Sequence, residues 1–298
     1  MKILNYFVSA VFVSCLCSCT AENEINTSKS IEVTASFPTT SRTTHTSENG
    51  VTQVSWVKGD VVGICTKEPL NLKYLALNSV SHTPLVSQGT SDVQINEGDS
   101  IIAYYPYVED MYYANVYNFL NKGGVPFKGI STQNQKDGLS SYDCLYAKGV
   151  VKNGKVNLQF HHLFPILKII FPTKMVSNLY GNQLSLVSTE VVARGDWFYY
   201  PDTQSTEHTF DTSLTYNLDP ESLKGESVTC YIVMFPQSES AEIAIKDNPA
   251  WPEMPSTLQI IKTPKGGFKA GHLYKLDLTS DKYFNSDGGI DVMPEIKW

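Results

Sequence analysis

Residues 31–64 read IEVTASFPTTSRTTHTSENGVTQVSWVKGDVVGI. Ile31, Val33, Ala35 and Phe37 alternate with Glu32, Thr34 and Ser36, the period-two pattern of a half-buried strand. Pro38 ends the run, because proline has no N–H to give to a ladder. The residues after it, through Gly50, are mostly Thr, Ser, His, Glu and Asn with one cation, Arg42. They have little to bury and predict an exposed loop, the kind of segment proteases nick most easily. Val54, Trp56 and Val57 then resume the apolar pattern, Gly59-Asp60 predicts a turn, and 61–64 predicts a short strand.

The chain has 298 residues, 42% hydrophobic and 18% charged, the balance of a globular protein. Its 17 tyrosines, together with frequent Thr and Ser, favour strands and turns over helices. A net charge of −7 without any Lys/Arg-rich run argues against nucleic acid as a partner, since phosphates require clustered cations.

Residues 1–18 predict a lipoprotein signal peptide: Lys2, an apolar stretch from Ile3 to Leu16, and a close of small residues. The close, Leu16-Cys17-Ser18-Cys19, looks like a bacterial lipobox with Cys19 as the lipidated residue. Residues 19–30 are polar and read as a flexible tether. Cys65, Cys144 and Cys230 remain, odd in number and widely spaced. That spacing suits neither a metal site nor a disulfide framework, and buried free thiols are expected, with one disulfide left open.

Further strands are expected at 73–77, 93–95, 100–105, 156–160, 184–187, 190–193, 196–199, 241–245 and 258–261. Lys152-Asn153-Gly154-Lys155 predicts a hairpin turn, and 121–138 reads as a loop. Residues 229–235, TCYIVMF, are apolar on both faces and predict a central strand. Many short strands without an amphipathic helix predict an all-β chain of two tandem β-sandwich domains, 31–155 and 156–298.

His161 and His162 are adjacent on a predicted strand and so point to opposite faces, which prevents them from chelating one ion. His162 reads as a packed or hydrogen-bonded core histidine. Trp197 and Tyr199 lie in an aromatic run, Trp197-Phe198-Tyr199-Tyr200, with two readings: a platform for stacking a glycan ring, or packing. No G-x-S-x-G, H-E-x-x-H, P-loop or dinucleotide-binding glycine pattern occurs. The expectation is a protein that is not an enzyme and holds no cofactor or metal.

Several short motifs, in order along the chain, resemble the fimbrillin family of Bacteroidetes, the Mfa-like type V pilus subunits. They are Arg42-Thr43-Thr44 in a polar loop, Trp56-x-x-Gly59-Asp60-x-x-Gly63-Ile64, Ala103-Tyr-Tyr-Pro-Tyr107, Asp143-Cys-Leu-Tyr-Ala147, the stretch around His162, Pro236-Gln237, and Phe268-x-Ala-Gly-x-x-Tyr274. The resemblance implies two tandem transthyretin-like β-sandwich domains, export as a lipoprotein through Cys19, and a cut between Arg42 and Thr43 by an Arg-directed protease. The first strand would then leave, and a strand of another subunit would fill its place. Trp56, Gly59, Asp60, Gly63 and His162 are the family-motif structural residues. The implied partners are other pilus subunits through donor-strand exchange, the outer membrane through the lipid on Cys19 before cleavage, and a host or bacterial surface glycan or protein in adhesion. The stretch from Ser280, SDKYFNSDGGIDVMPEIKW, departs from a stalk subunit's donor strand, being short and broken by Gly288-Gly289 and Pro294. Stalk, tip and accessory or anchor roles therefore stay open. The competing reading is a surface-anchored glycan-binding lipoprotein of a nutrient-uptake system.

Overall fold

A computed structural model describes residues 31–37, 55–66, 71–89, 95–109, 124–127, 131–193, 197–200, 205–206, 210–247, 257–279 and 291–292. Over these residues the chain is all-β, with a few short helical turns. The first ten strands are β1 (Glu32–Ser36), β2 (Val61–Cys65), β3 (Asn71–Ala76), β4 (His82–Ser87), β5 (Ser100–Tyr105), β6 (Val125–Phe127), β7 (Thr132–Asn134), β8 (Leu145–Val150), β9 (Lys155–Gln159) and β10 (His161–His162). Eight of them form one sheet in the order β10-β8-β5-β2-β3-β4-β1-β9.

This sheet folds over on itself for a local reason. β8 and β9 stand near its opposite ends yet are joined by Asn153-Gly154, both at positive φ (54° and 72°), the geometry of a type I′ hairpin turn. Lys152 and Lys155 bridge across it. The two ends are thus brought face to face, and a Cβ on Gly149 would lie 2.8 Å from Val156 Cγ2. Between the faces lies a core that includes Val33, Ala35, Phe37, Trp56, Ile64, Ala103, Ala147, Leu158 and Phe160.

β4 lies outside the strands expected from the sequence, and Pro84 sits in it. In a strand, the N–H and C=O of one residue point to the same side. The Pro84 carbonyl accepts from Leu77 N–H at 3.1 Å, just past the end of β3, so the missing proline donor faces a place where the ladder has already stopped. Its other side still pairs with β1, Thr34 opposite Pro84.

The later strands are β11 (Ile166–Pro172), β12 (Gln183–Ala193), β13 (Trp197–Tyr200), β14 (Ser205–Thr206), β15 (Phe210–Asn217), β16 (Ser227–Val233), β17 (Glu242–Asp247), β18 (Thr257–Lys262), β19 (Leu273–Asp277) and β20 (Asp291–Val292). A single helical turn, α1 (Thr173–Val176), follows β11. The sheets are β16-β11-β19-β20, β18-β17-β12-β15-β7 and β14-β13-β6. The stretches expected separately at 184–187 and 190–193 are one strand with an irregularity between Val187 and Val192.

The structure corrects two expectations. The stretch 121–138, read as a loop, holds β6 and β7, which precede residue 155 and pair with strands that lie beyond it in the chain. Val125 and Phe127 are buried in the second core with Phe164 and Phe235. β16, read as central, is the outermost described strand of its sheet. Its outer edge is satisfied by side chains in place of a strand. The buried Gln133 amide donates to the Val233 carbonyl at 2.5 Å and accepts from Val233 N–H at 3.1 Å. Gln135 donates to the Thr229 carbonyl at 2.9 Å. A glutamine amide carries the same donor and acceptor as a peptide unit, so a buried edge keeps its partners without a further ladder.

Cys65, Cys144 and Cys230 are buried free thiols, as expected. Burial pushes Cys65 and Cys230 up to about 12; burial and then the neighbouring Asp143 charge push Cys144 still higher. Such thiols are not thiolates near neutral pH and do not react. Iodoacetamide at pH 8 is expected to label none of the three in the folded protein and all three in urea, read by intact mass. Labelling of the folded protein would contradict this packing.

Candidate functional site

β1 is the element that joins β9 to the rest of the eight-stranded sheet. It lies inside the sheet, antiparallel to β4 and parallel to β9. Glu32 N–H donates to the Gly154 carbonyl at 2.9 Å, Phe160 N–H to the Ser36 carbonyl at 2.8 Å, and Phe37 N–H to the Ser81 carbonyl at 3.2 Å. Val33, Ala35 and Phe37 point inward and are buried. On the outer face, Glu32 pairs with Lys155 at 2.7 Å, and Thr34 and Ser36 hydroxyls each donate to Asn157 Oδ1 at 3.1 Å. These outer contacts are exposed and contribute little; the inner side chains and the two ladders hold the strand.

The end of β1 meets a ring of aromatics. Phe37 stacks on Trp56 with centroids 5.0 Å apart and planes at 23°. Tyr105 and Phe160 meet the same indole edge-on, at 5.8 and 4.9 Å. Trp56 is 1% exposed, and its Nε1 has no hydrogen-bond partner among the described residues, so its rings do the packing. The turn behind it explains Gly59 and Asp60. Gly59 has φ 97°, a conformation that glycine adopts without strain, and its N–H donates to the Ala76 carbonyl at 2.9 Å. Asp60 Oδ2 accepts from Val57 N–H at 2.8 Å and Oδ1 from the Tyr105 hydroxyl at 3.4 Å. Burial raises the Asp60 carboxyl from its ordinary value, opposed by those two hydrogen bonds.

Gly63 is fixed by its neighbour across the ladder. Tyr104 pairs with it, and a Cβ at Gly63 would overlap Tyr104 Cε1. The tyrosine ring covers the glycine and its hydroxyl donates to Asn71 Oδ1 at 2.8 Å.

His162 is buried on the short strand β10 while His161 is exposed, which agrees with the opposite-face reading. Both Asp143 carboxylate oxygens lie against His162 Nδ1, at 2.9 and 2.8 Å. Nineteen positions separate the two, and sequence reasoning took Asp143 only as part of a motif. The pair stands between the two cores, with Cys144 and Leu163 in one and Leu145 and Phe160 in the other. A cleft of about 310 Å³ opens beside it, lined by Phe37, Trp56, Asp60, Tyr105, Leu139 and Asp143 among others. Among the described residues no group of three or more His, Cys, Asp or Glu is placed to hold a metal ion.

The structure thus brings Trp56, Gly59 and Asp60 together at the end of β1, sets Gly63 three residues on in β2, and puts His162 at the junction of the cores. Trp197 and Tyr199 lie on β13, opposite Phe127 and Val125 of β6, and their side chains are outside the described residues, as are Cys19, Arg42 and Thr43 altogether. Phe37, Tyr105, Phe160 and Asp143 complete the site; from sequence Phe37 reads as a buried strand residue and Tyr105 and Asp143 as parts of motifs, without their roles here. The signal for Phe37 was present in the alternation of residues 31–37.

Two substitutions test this packing. Gly63→Ala is expected to cost about 1–3 kcal/mol through overpacking, and Gly63→Ala with Tyr104→Leu to show a coupling of at least about 0.5 kcal/mol, both read from urea midpoints. Additive effects would separate Gly63 from the tyrosine. Trp56→Ala is expected to cost about 3–5 kcal/mol, against about 0.5 kcal/mol or less for the exposed neighbour Val57→Ala.

The profile of fimbrillin-like proteins matches residues 21–297. No curated protein matches the chain in sequence. Among solved structures, a candidate cell adhesion protein from Bacteroides uniformis superimposes with a TM-score of 0.50 at 14% identity, covering 89% of this chain and 96% of that one. A second, from Bacteroides ovatus, gives 0.48 at 16% identity over 83% and 91%. The fimbrial anchor protein Mfa2 from Porphyromonas gingivalis gives 0.35 at 11% identity over 72% and 77%. The B. uniformis structure shares the fold, and the profile spans nearly all of the sequence: this chain belongs to the fimbrillin-like family.

Proposed function

We propose that this protein is a subunit of a type V pilus, in a stalk, tip or accessory position. In this reading it is exported as a lipoprotein through Cys19, built as two tandem transthyretin-like sandwiches, and assembled by strand exchange after a cut between Arg42 and Thr43. The observation that carries the reading is the position of β1. It lies within the sheet between β4 and β9, yet it connects to the rest of the sandwich only through residues 38–54, which contain Arg42.

A cut at Arg42 would leave β1 attached by non-covalent contacts alone. Its inward side chains are Val33, Ala35 and Phe37; full burial of a valine or phenylalanine contributes about 1.5–3 kcal/mol. Departure of β1 would expose the edges of β4 and β9 together with the aromatic ring around Trp56. Unpaired edges flanking an apolar floor are costly in water, and β-addition by another chain's strand satisfies both at once. The same cut would separate the fold from the lipid on Cys19, passing it from the outer membrane to the fimbrium.

An Arg-specific protease acting on the protein from Ala21 onward is expected to give a new N-terminus at Thr43, with Arg42→Ala uncut under the same conditions. Native gels should then show polymers, or heteropolymers once a second subunit is supplied. A fold-intact protein that resists the protease, and surface protein that still begins at Cys19, would overturn this reading in favour of an anchored lipoprotein.

A further inference from the structure

The core under β1 is built in three layers, and the layers are asymmetric along the strand. In the first, Val33 stands beside Leu85 of β4 and Val156 of β9. In the second, Ala35 stands beside Thr83 and Leu158, all three without exposed surface. In the third, one step on, Phe37 stacks on Trp56 beside Phe160. β5 repeats the sequence of sizes: Ile101 and Ala103 are buried in the same core, and Tyr105 meets the same indole. Ala103 in turn faces Ala147 across its ladder. The middle position is therefore small on both strands, with Ala35 between Thr83 and Leu158 and Ala103 between Ile64 and Ala147, and the third layer is an aromatic socket.

We infer that the groove beneath β1 selects its incoming strand by size order: a large aliphatic, a small residue and an aromatic at alternate positions, running in the direction of β1. This rests on the strand-exchange reading above. A larger side chain in the middle must displace Leu158 or the packed alanines, and close-packed interiors resist that. A strand laid in reverse places its aromatic beside Leu85 and Val156 and leaves the socket half empty. A slip of one residue turns the inward set to solvent. The outer positions, opposite Lys155 and Asn157, are exposed and adjust affinity only slightly.

The occupant is a strand of a different subunit and not residues 290–298 of a second copy of this chain. No triplet at alternate positions there (Ile290, Val292, Pro294, Ile296, Trp298) gives large aliphatic, small, aromatic. Where Trp298 would enter the socket, Ile296 falls on the small middle position.

The test uses the whole chain from Ala21, nicked at Arg42 or at a protease site inserted between Phe37 and Ser55, with β1 still seated. Fluorescent peptides compete for the groove, read by anisotropy: the native sequence of residues 31–37, the same with Ala35→Leu, the same with Phe37→Leu, and the sequence reversed. The native peptide is expected to displace β1, the Ala35→Leu and Phe37→Leu peptides each to bind about tenfold more weakly, and the reversed peptide not to compete. A peptide of residues 290–298 should also fail. If all peptides enter within about threefold of one another, the size order is overturned while strand exchange stands. If the native peptide itself never enters, strand exchange falls and the selection with it.

Discussion

The indole of Trp56 is where the core inside the folded eight-stranded sheet is closed at one end. It gathers Phe37 from the end of β1, Tyr105 from β5 and Phe160 from the end of β9. Those residues come from chain positions spread over more than a hundred residues, so no single ladder could bring them together. Edge-to-face and offset contacts between aromatic rings add directional preference to the burial itself. The turn at Gly59-Asp60 holds the tryptophan in place from behind, through hydrogen bonds to Ala76 and Val57. The motif residues are therefore parts of one device, a plug and its bracket, and the end of β1 is seated in it.

A second device links the early part of the chain to the later part. Gln133 and Gln135 reach from the segment around β7 to the outer edge of β16 and take the place of a strand. Gln135 Oε1 also accepts from Asp219 N–H and the Ser222 hydroxyl. Asp143 and His162 meet close to this segment, with both carboxylate oxygens against His162 Nδ1, at the boundary of the two cores. Buried polar groups that pair with one another fix one arrangement among the many that apolar packing alone tolerates.

What was legible in the sequence was local. The alternation of residues 31–37, the Asn153-Gly154 hairpin and the Gly59-Asp60 turn each depend on residues a few positions apart, and each stands where it was expected. Features set by distant partners were not legible. β4 was hidden because Pro84 reads as a breaker unless one knows that β3 has ended beside it. β16 reads as central because residues 229–235 are apolar on both faces, and only the structure shows that its outer edge is met by glutamine side chains. The Gly63 requirement follows from Tyr104 on another strand, and the role of Asp143 from His162. Family motifs marked most of these positions, but the physical reason for each lies across the fold.

β1 and β7 make an instructive pair. Each is a short strand added parallel to a neighbour, β1 to β9 and β7 to β15. β7 is secured by buried amide hydrogen bonds that only its own sequence can supply, and its removal would strand the β16 edge. Among the described residues β1 has no buried side-chain hydrogen bond: its polar contacts are exposed or half-buried, and its buried contacts are two ladders and three apolar side chains. Ladders are made by any backbone and are indifferent to sequence, so a different strand with the same succession of sizes could reproduce nearly all that holds β1. The contrast separates a strand tied in by its own buried polar side chains from one held by contacts that depend little on sequence. If another strand takes that place, as proposed, its selection rests on the three layers beneath it, since the ladders on either side accept any strand alike.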